Sequence, residues 1–166
     1  MSDRTPAPVA RRTAPPPPAL NRSRTLWLLS FLTGLTTVVF AFLGREEHLA
    51  AVAEQVRELD PERAASTVDT AAQVVLVASM AAIVLVVVVE SLLVRRMTAR
   101  RGGARAGLAV LLVVHALVAL VAETYLTVPG GDGLRDRVLL VAWVALAALA
   151  YLVSLAPSVG RWLRDR

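Results

Sequence analysis

Three ionisable residues lie inside long apolar runs of the sequence: Glu90, His115 and Glu123. Burying a charge in lipid costs enough free energy that each residue needs a structural or functional explanation. Counted from the ends of the predicted helices, the three residues lie near one membrane surface, in the middle and near the opposite surface. A proton relay needs such a series, with a histidine that titrates near neutrality in the middle. However, His115 and Glu123 are ~12 Å apart along a helix, too far for direct transfer.

Each of these residues also has a structural explanation that involves no transport. A buried carboxylate can pair with an arginine near the membrane surface, and a neutral histidine can hydrogen-bond to a hydroxyl of a neighbouring helix. The available partners are Arg95 and Arg96 for Glu90, Arg135, Arg137 and lipid headgroups for Glu123, and Thr33 and Thr37 for His115. We favour the structural explanation and keep proton or solute transport as the alternative.

Signatures of catalysis, metal binding and cofactor binding are missing from the sequence. The chain has no cysteine, which excludes thiolate catalysis and cysteine-ligated metal. The two histidines, His48 and His115, fall on different sides of the predicted membrane arrangement and form no ligand cluster. No serine–histidine–aspartate order and no glycine-rich phosphate loop occurs. We therefore predict a protein that is not an enzyme and binds neither cofactor nor metal.

The apolar residues are concentrated in four long runs, which is typical of membrane proteins. The chain is 56% hydrophobic, and its mean hydropathy is +0.60. Each run is about as long as a helix that crosses a bilayer core of about 30 Å. The sequence predicts an all-α membrane protein whose four transmembrane helices are Leu26–Leu43, Ala71–Val94, Gly107–Val128 and Val138–Ala156.

Two segments outside these runs have different compositions. Residues 1–25 contain a proline run and five arginines, which predicts a disordered tail ahead of a membrane domain at 26–166. Residues 44–70 are rich in acids. Within them apolar residues recur at helical spacing, which predicts a short amphipathic helix between the first two spans. These residues are Leu49, Val52, Val56 and Leu59.

The arginines indicate an orientation for the four helices. Thirteen of the 18 lie in the tail, in the segment 95–105 and after the last span, which all fall on one side of the membrane. Because cytoplasmic segments carry the positive charge, both termini are predicted to be cytoplasmic and the acidic segment outside the cell membrane. We interpret the arginines of the segment 95–105 as topology signals that contact anionic lipid headgroups, not nucleic acid. They are Arg95, Arg96, Arg100, Arg101 and Arg105.

The first span carries small polar residues at helical spacing. Ser30 with Gly34, and Thr33 with Thr37, are separated by four positions. Such pairs let membrane helices approach closely and hydrogen-bond. We predict that they form a helix-packing face, which could also serve a homo- or hetero-oligomer.

The layout resembles a family of uncharacterised four-helix membrane proteins from actinobacteria. The similar features are the proline-rich tail before Leu26-Trp27, the acidic amphipathic segment, the arginine-rich connection at 95–105 and the Ala156-Pro157 pair that ends the last span. The resemblance is architectural and implies a membrane location without a particular activity. We therefore expect a non-catalytic membrane protein, an accessory, scaffold or envelope-associated protein that acts through partners.

Overall fold

The structure, a computed structural model, describes residues 15–62, 64–101, 103–127 and 131–164. These residues form six α-helices: α1 (Pro18–Leu43), α2 (Arg45–Leu59), α3 (Ala65–Thr98), α4 (Ala104–Leu126), α5 (Gly131–Ser154) and α6 (Pro157–Arg164). The all-α prediction is confirmed for this part of the chain. Most of the predicted disordered tail, residues 1–14, lies outside the described residues.

Four helices, α1, α3, α4 and α5, are long and apolar enough to cross a membrane. They coincide with the four predicted spans, which is compatible with a multi-pass membrane protein. All four are longer than predicted, α4 by a single residue, and α5 begins at Gly131, seven residues before the predicted Val138. Helix α1 begins at Pro18, inside the predicted tail, because proline suits the first helical position and Leu20 in the first turn is buried. Helix α3 extends to Thr98, four residues beyond Val94.

The four long helices surround a common core. Helix α1 packs against α5 and α3, and α4 packs against the same two neighbours, so α1 and α4 lie diagonally opposite each other. The pair α1 and α5 has the most extensive contact. The core contains Trp143, Ile83 and Leu126, which are buried. Side chains at the middle of all four helices therefore point towards one central region.

Large apolar side chains also cover the outside of the bundle. In a soluble protein such a surface would aggregate, whereas in a bilayer it faces hydrocarbon. Exposed examples on each of the four helices are Leu28, Leu32, Val77, Leu85, Val113, Leu120, Val141 and Leu152.

The two ends of the bundle carry different short helices. At one end, α2 packs through Val52 and Ala53 on the first turns of α3. The amphipathic helix predicted here is confirmed, except that Leu59 is 87% exposed because the helix ends at this residue. We call this the α2 end. At the opposite end, α6 buries Val159, and the Arg100 guanidinium lies 3.8 Å from the Trp162 ring centre. We call this the arginine end.

Candidate functional site

Glu90 and His115 form a hydrogen-bonded pair in the core. Helices α3 and α4 are antiparallel, joined by a tight turn in which Gly103 has φ of +82°. The two residues are about equally far along the chain from this turn, so they lie side by side. His115 Nδ1 is 2.8 Å from Glu90 Oε1, and neither side chain has accessible surface. No water-sized space therefore reaches the pair from either end of the bundle.

This pair corrects two of our predictions. Glu90 and His115 do not lie at different depths as steps of a ladder, and Glu90 pairs with His115, not with Arg95 or Arg96. The depth estimate was wrong because it was counted from the apolar runs, whereas α3 continues to Thr98 and α4 begins at Ala104. The position of the glycine turn between the two helices was the signal in the sequence that could have shown the pairing.

Among the described residues, no hydroxyl of α1 forms a hydrogen bond with His115. Thr33 donates a hydrogen bond to the Leu29 carbonyl of its own helix, and Thr37 donates to the Thr33 carbonyl. A helical hydroxyl commonly satisfies itself in this way on the preceding turn. The predicted histidine–threonine contact is therefore absent, and the carboxylate of Glu90 takes its place.

Trp143 of α5 completes the site. Its ring centre lies 3.9 Å from that of His115, with the two planes inclined by 36°. Trp143 is fully buried and lies against Gly34 of α1, where an added Cβ would be only 2.7 Å from the indole Nε1. The Ser30 hydroxyl donates a hydrogen bond of 3.0 Å to the Trp143 carbonyl. All four long helices thus contribute to one cluster, which we call the central cluster.

Sequence reasoning missed Trp143, although a signal was present. Tryptophan in a membrane helix usually lies at the interface, where its N–H can reach water or headgroups. Trp143 instead lies near the middle of α5. A tryptophan in the middle of a span indicates a packing or binding role inside the bundle.

Three polar atoms of the central cluster have no hydrogen-bond partner among the described residues. These atoms are Glu90 Oε2, His115 Nε2 and Trp143 Nε1. Among the described residues no group of three histidine, aspartate or glutamate side chains is arranged to bind a metal ion.

Glu123, the third predicted site residue, lies apart from the central cluster. Its Oε1 is 2.8 Å from Arg137 Nη2 and 3.0 Å from Arg137 Nε, at the α2 end. The Glu123 side chain is 38% exposed. Of the partners predicted for Glu123, which were Arg135, Arg137 and lipid headgroups, the structure shows Arg137. Glu123 therefore lies ~12 Å from His115 along α4, as predicted from the sequence.

A second buried polar group lies at the α2 end. His48 of α2 and Asp136 of α5 are both buried, and Asp136 Oδ1 accepts a hydrogen bond of 3.1 Å from Arg135 Nε. Burial lowers the pKa of His48, and the nearby Asp136 carboxylate only partly opposes this effect. His48 is therefore neutral near pH 7.

We expect His48 to make the protein less stable in acid. Because its pKa is lower in the folded state than the ordinary 6.5, the unfolded chain binds the proton more readily. The contribution of neutral His48 to the free energy of unfolding is complete above about pH 6.5. It is lost as pH falls through the folded-state pKa of His48. His48→Gln should reduce the difference in unfolding free energy between pH 7.5 and pH 5 in detergent. An unchanged difference would show that other groups control the acid sensitivity.

The small-residue face of α1 is used within the chain. Ser30, Gly34 and Thr37 are buried, and Ser30 and Gly34 both lie against Trp143 of α5. Thr33 is only partly buried. This face is consequently occupied largely by α5 of the same chain.

The arginines of the segment 95–105 lie together at the arginine end. Arg95, Arg96 and Arg101 are exposed, while the Arg105 guanidinium donates a hydrogen bond to the Ser154 carbonyl at the end of α5. Arg105 thereby satisfies a carbonyl that a helix C-terminus leaves without an intrahelical partner. This group of arginines combines two roles, helix capping and surface charge.

Comparisons with known proteins give no further assignment. No protein-family model, curated protein or solved structure matches the chain. The candidate site therefore has to be interpreted from its own geometry.

Proposed function

We propose that the chain is a non-catalytic membrane protein that acts through partners, as an accessory, scaffold or envelope-associated protein. One observation carries this proposal. The ionisable residues of the bundle interior, Glu90 and His115, bind each other and have no accessible surface. A substrate cannot reach them in this conformation, so the groups available for recognition are those at the two ends. The central cluster then serves to fix how the four helices pack.

The proposed location is the cell membrane, with both termini in the cytoplasm and α2 outside. The asymmetry of arginines between the two ends supports this orientation. Reporter fusions after residues 22, 58, 103 and 133 should lie alternately inside, outside, inside and outside. A cytoplasmic signal at residue 58 would invert the orientation. The actinobacterial origin suggested by the architectural resemblance belongs to the same proposal.

Helix α2 is the surface best suited to a protein partner. Its apolar side is covered by α3, while its other side exposes carboxylates. A groove of about 410 Å³ lies between α2 and α3, with Leu49 and Ala53 on one wall and Asp69 and Gln73 on the other. Glu54 also lines it and is paired at 3.2 Å with Arg57, the one basic residue among the described side chains that line the groove. This combination of apolar contact area and acidic rim fits a helix or loop with basic residues. The exposed carboxylates of α2 are Glu46, Glu47, Glu54 and Glu58, and Asp69 of α3 is exposed as well.

Site-specific photocrosslinking in intact membranes tests this proposal. A crosslinker at Ala50, which is exposed and lines the groove, should give a discrete adduct. The matched control is a crosslinker at Val113, which is exposed on the apolar surface of α4 and should react only with lipid. Charge reversal of Glu54 should weaken the protein adduct. Recovery of an uncrosslinked monomer from both positions would contradict the proposal.

A second candidate function is transport of a proton or small solute through Glu90, His115 and Glu123. The observation that favours it is the buried glutamate–histidine pair, because ionisable pairs inside membrane helices commonly belong to ion pathways. The separation of ~12 Å along α4 between His115 of this pair and the exposed Glu123–Arg137 contact argues against transport. A proton flux in reconstituted vesicles that disappears in both His115→Ala and Glu123→Gln would favour transport over the accessory role. Flux that is absent, or unchanged in both variants, would remove this candidate.

A further inference from the structure

A groove at the arginine end has a polar mouth and apolar walls. It lies between α1 and α3 and has a volume of about 200 Å³. Arg24 of α1 and Arg95 of α3 both line it, and no acidic residue of the described chain does. Towards the middle of the bundle its walls are formed by Leu28, Phe31 and Val94. Ser91 also lines it there, and its hydroxyl donates a hydrogen bond to the Val88 carbonyl of its own helix.

On both helices the arginine lies nearer the end of the bundle, and the apolar residues lie nearer its centre. Along α1, Arg24 is followed by Leu28 and Phe31 towards the bundle centre. Along α3, which runs in the opposite direction, Val94 lies on the central side of Arg95. Leu28 is 65% exposed on the surface that faces hydrocarbon in a membrane. The groove thus combines two cations at the depth of lipid headgroups with an apolar channel at the depth of acyl chains.

A third feature is an indole donor that lacks a partner. Trp27 lines the groove and its side chain is fully buried, yet its Nε1–H has no hydrogen-bond partner among the described residues. Most buried indole N–H groups have one, because leaving a donor unsatisfied costs about 1–3 kcal/mol. Because the Trp27 side chain has no accessible surface, a lipid oxygen does not reach this donor in this conformation, and Trp27 serves as a wall of the groove.

We propose that this groove binds one anionic phospholipid. The phosphate lies between Arg24 and Arg95, and one acyl chain follows Leu28 and Phe31. The apolar walls distinguish this occupant from a free phosphate ion, which would leave them uncovered. The two arginines distinguish it from a zwitterionic lipid, whose ammonium group they repel. This goes beyond the general attraction of arginines to a membrane surface, since it assigns a single site.

Native mass spectrometry of the full chain in a non-ionic detergent tests the proposal. We expect one phosphatidylglycerol to be retained per chain at concentrations where phosphatidylcholine with the same acyl chains is lost. Arg24→Gln should weaken retention about tenfold, and Arg24→Lys should restore most of it because the charge is kept. Arg24 is exposed, so these variants should fold. Arg95 is less suitable because it also lines a neighbouring groove with Arg96 and Arg101.

Arg22→Gln is the matched control, since Arg22 is exposed on the same helix and does not line the groove. It should leave retention unchanged. Equal weakening by Arg22→Gln and Arg24→Gln would mean that only diffuse surface charge attracts the lipid. Equal retention of the two lipids would also overturn the proposal. Displacement of phosphatidylglycerol by millimolar inorganic phosphate would do the same, by showing that the groove holds a free anion.

Discussion

Glu90→Ala is expected to destabilise the bundle by about 3 kcal/mol, more than any single substitution among its exposed charges. Removing one partner of a buried pair typically costs about 3–5 kcal/mol, because the other is left without compensation. Here the remaining group is His115, which has no accessible surface. We take the lower end of that range because helices that unfold within a membrane-like environment find other partners for their polar groups. The measurement is the free energy of unfolding in mixed micelles.

Glu123→Ala provides the control for this prediction. Glu123 is likewise a glutamate with a side-chain partner, but its side chain is 38% exposed and that of Arg137 is 60% exposed. Exposed pairs contribute about 0–1 kcal/mol, so this variant should be nearly neutral. Similar losses in Glu90→Ala and Glu123→Ala would show that burial of the central pair adds nothing to stability.

The double variant Glu90→Leu, His115→Leu distinguishes two roles of the pair: its contribution to the stability of the bundle, and its effect on how the helices pack. Replacing both partners by apolar residues is often neutral or stabilising, because no charge then needs to be desolvated. We expect this variant to be more stable than Glu90→Ala. If the central cluster specifies how the helices pack, the double variant should fold and yet lose its partner adduct at Ala50.

Membrane-crossing helices were predictable because their signal is local. A run such as Ala71–Val94 carries one charge in enough residues to cross a bilayer, and only a helix satisfies its backbone there. A second local signal, the helical spacing of the apolar residues Leu49, Val52 and Val56, predicted α2. Helix ends were less predictable, because the start of α1 at Pro18 depends on burial of Leu20 by other helices.

The central cluster could be predicted only in part. The cost of burying Glu90 and His115 in lipid identified both residues from the sequence. Their pairing depends on the register of two helices, which the turn at Gly103 determines and which the apolar runs alone do not show. The contact of Trp143 with Gly34 joins residues far apart in the chain, on helices that are not consecutive. No periodicity within one helix contains that information.

Gly34 is the position where the smallest change should have a large effect. A Cβ at this site would lie 2.7 Å from Trp143 Nε1 and 2.9 Å from Trp143 Cε2, closer than a carbon atom can approach. The indole cannot easily retreat, since its other neighbour is the His115 ring at 3.9 Å. Forcing extra volume into a packed core typically costs about 1–3 kcal/mol. We expect Gly34→Ala to fall in this range and Gly34→Ile to separate α1 from α5.

Gly107→Ala tests whether this effect comes from the indole contact or from the loss of a helical glycine. At Gly107 an added Cβ would meet only the terminal methyl groups of Leu93, at 3.3 and 3.4 Å, and that flexible side chain can move. Alanine also favours a helix over glycine by about 1 kcal/mol, so Gly107→Ala should be neutral or stabilising. Because Trp143 contacts His115, Gly34→Ala and Glu90→Ala should combine non-additively in a double-mutant cycle, whereas Gly107→Ala and Glu90→Ala should add. Additive losses for Gly34 and Glu90 would mean that the indole does not couple α1 to the buried pair.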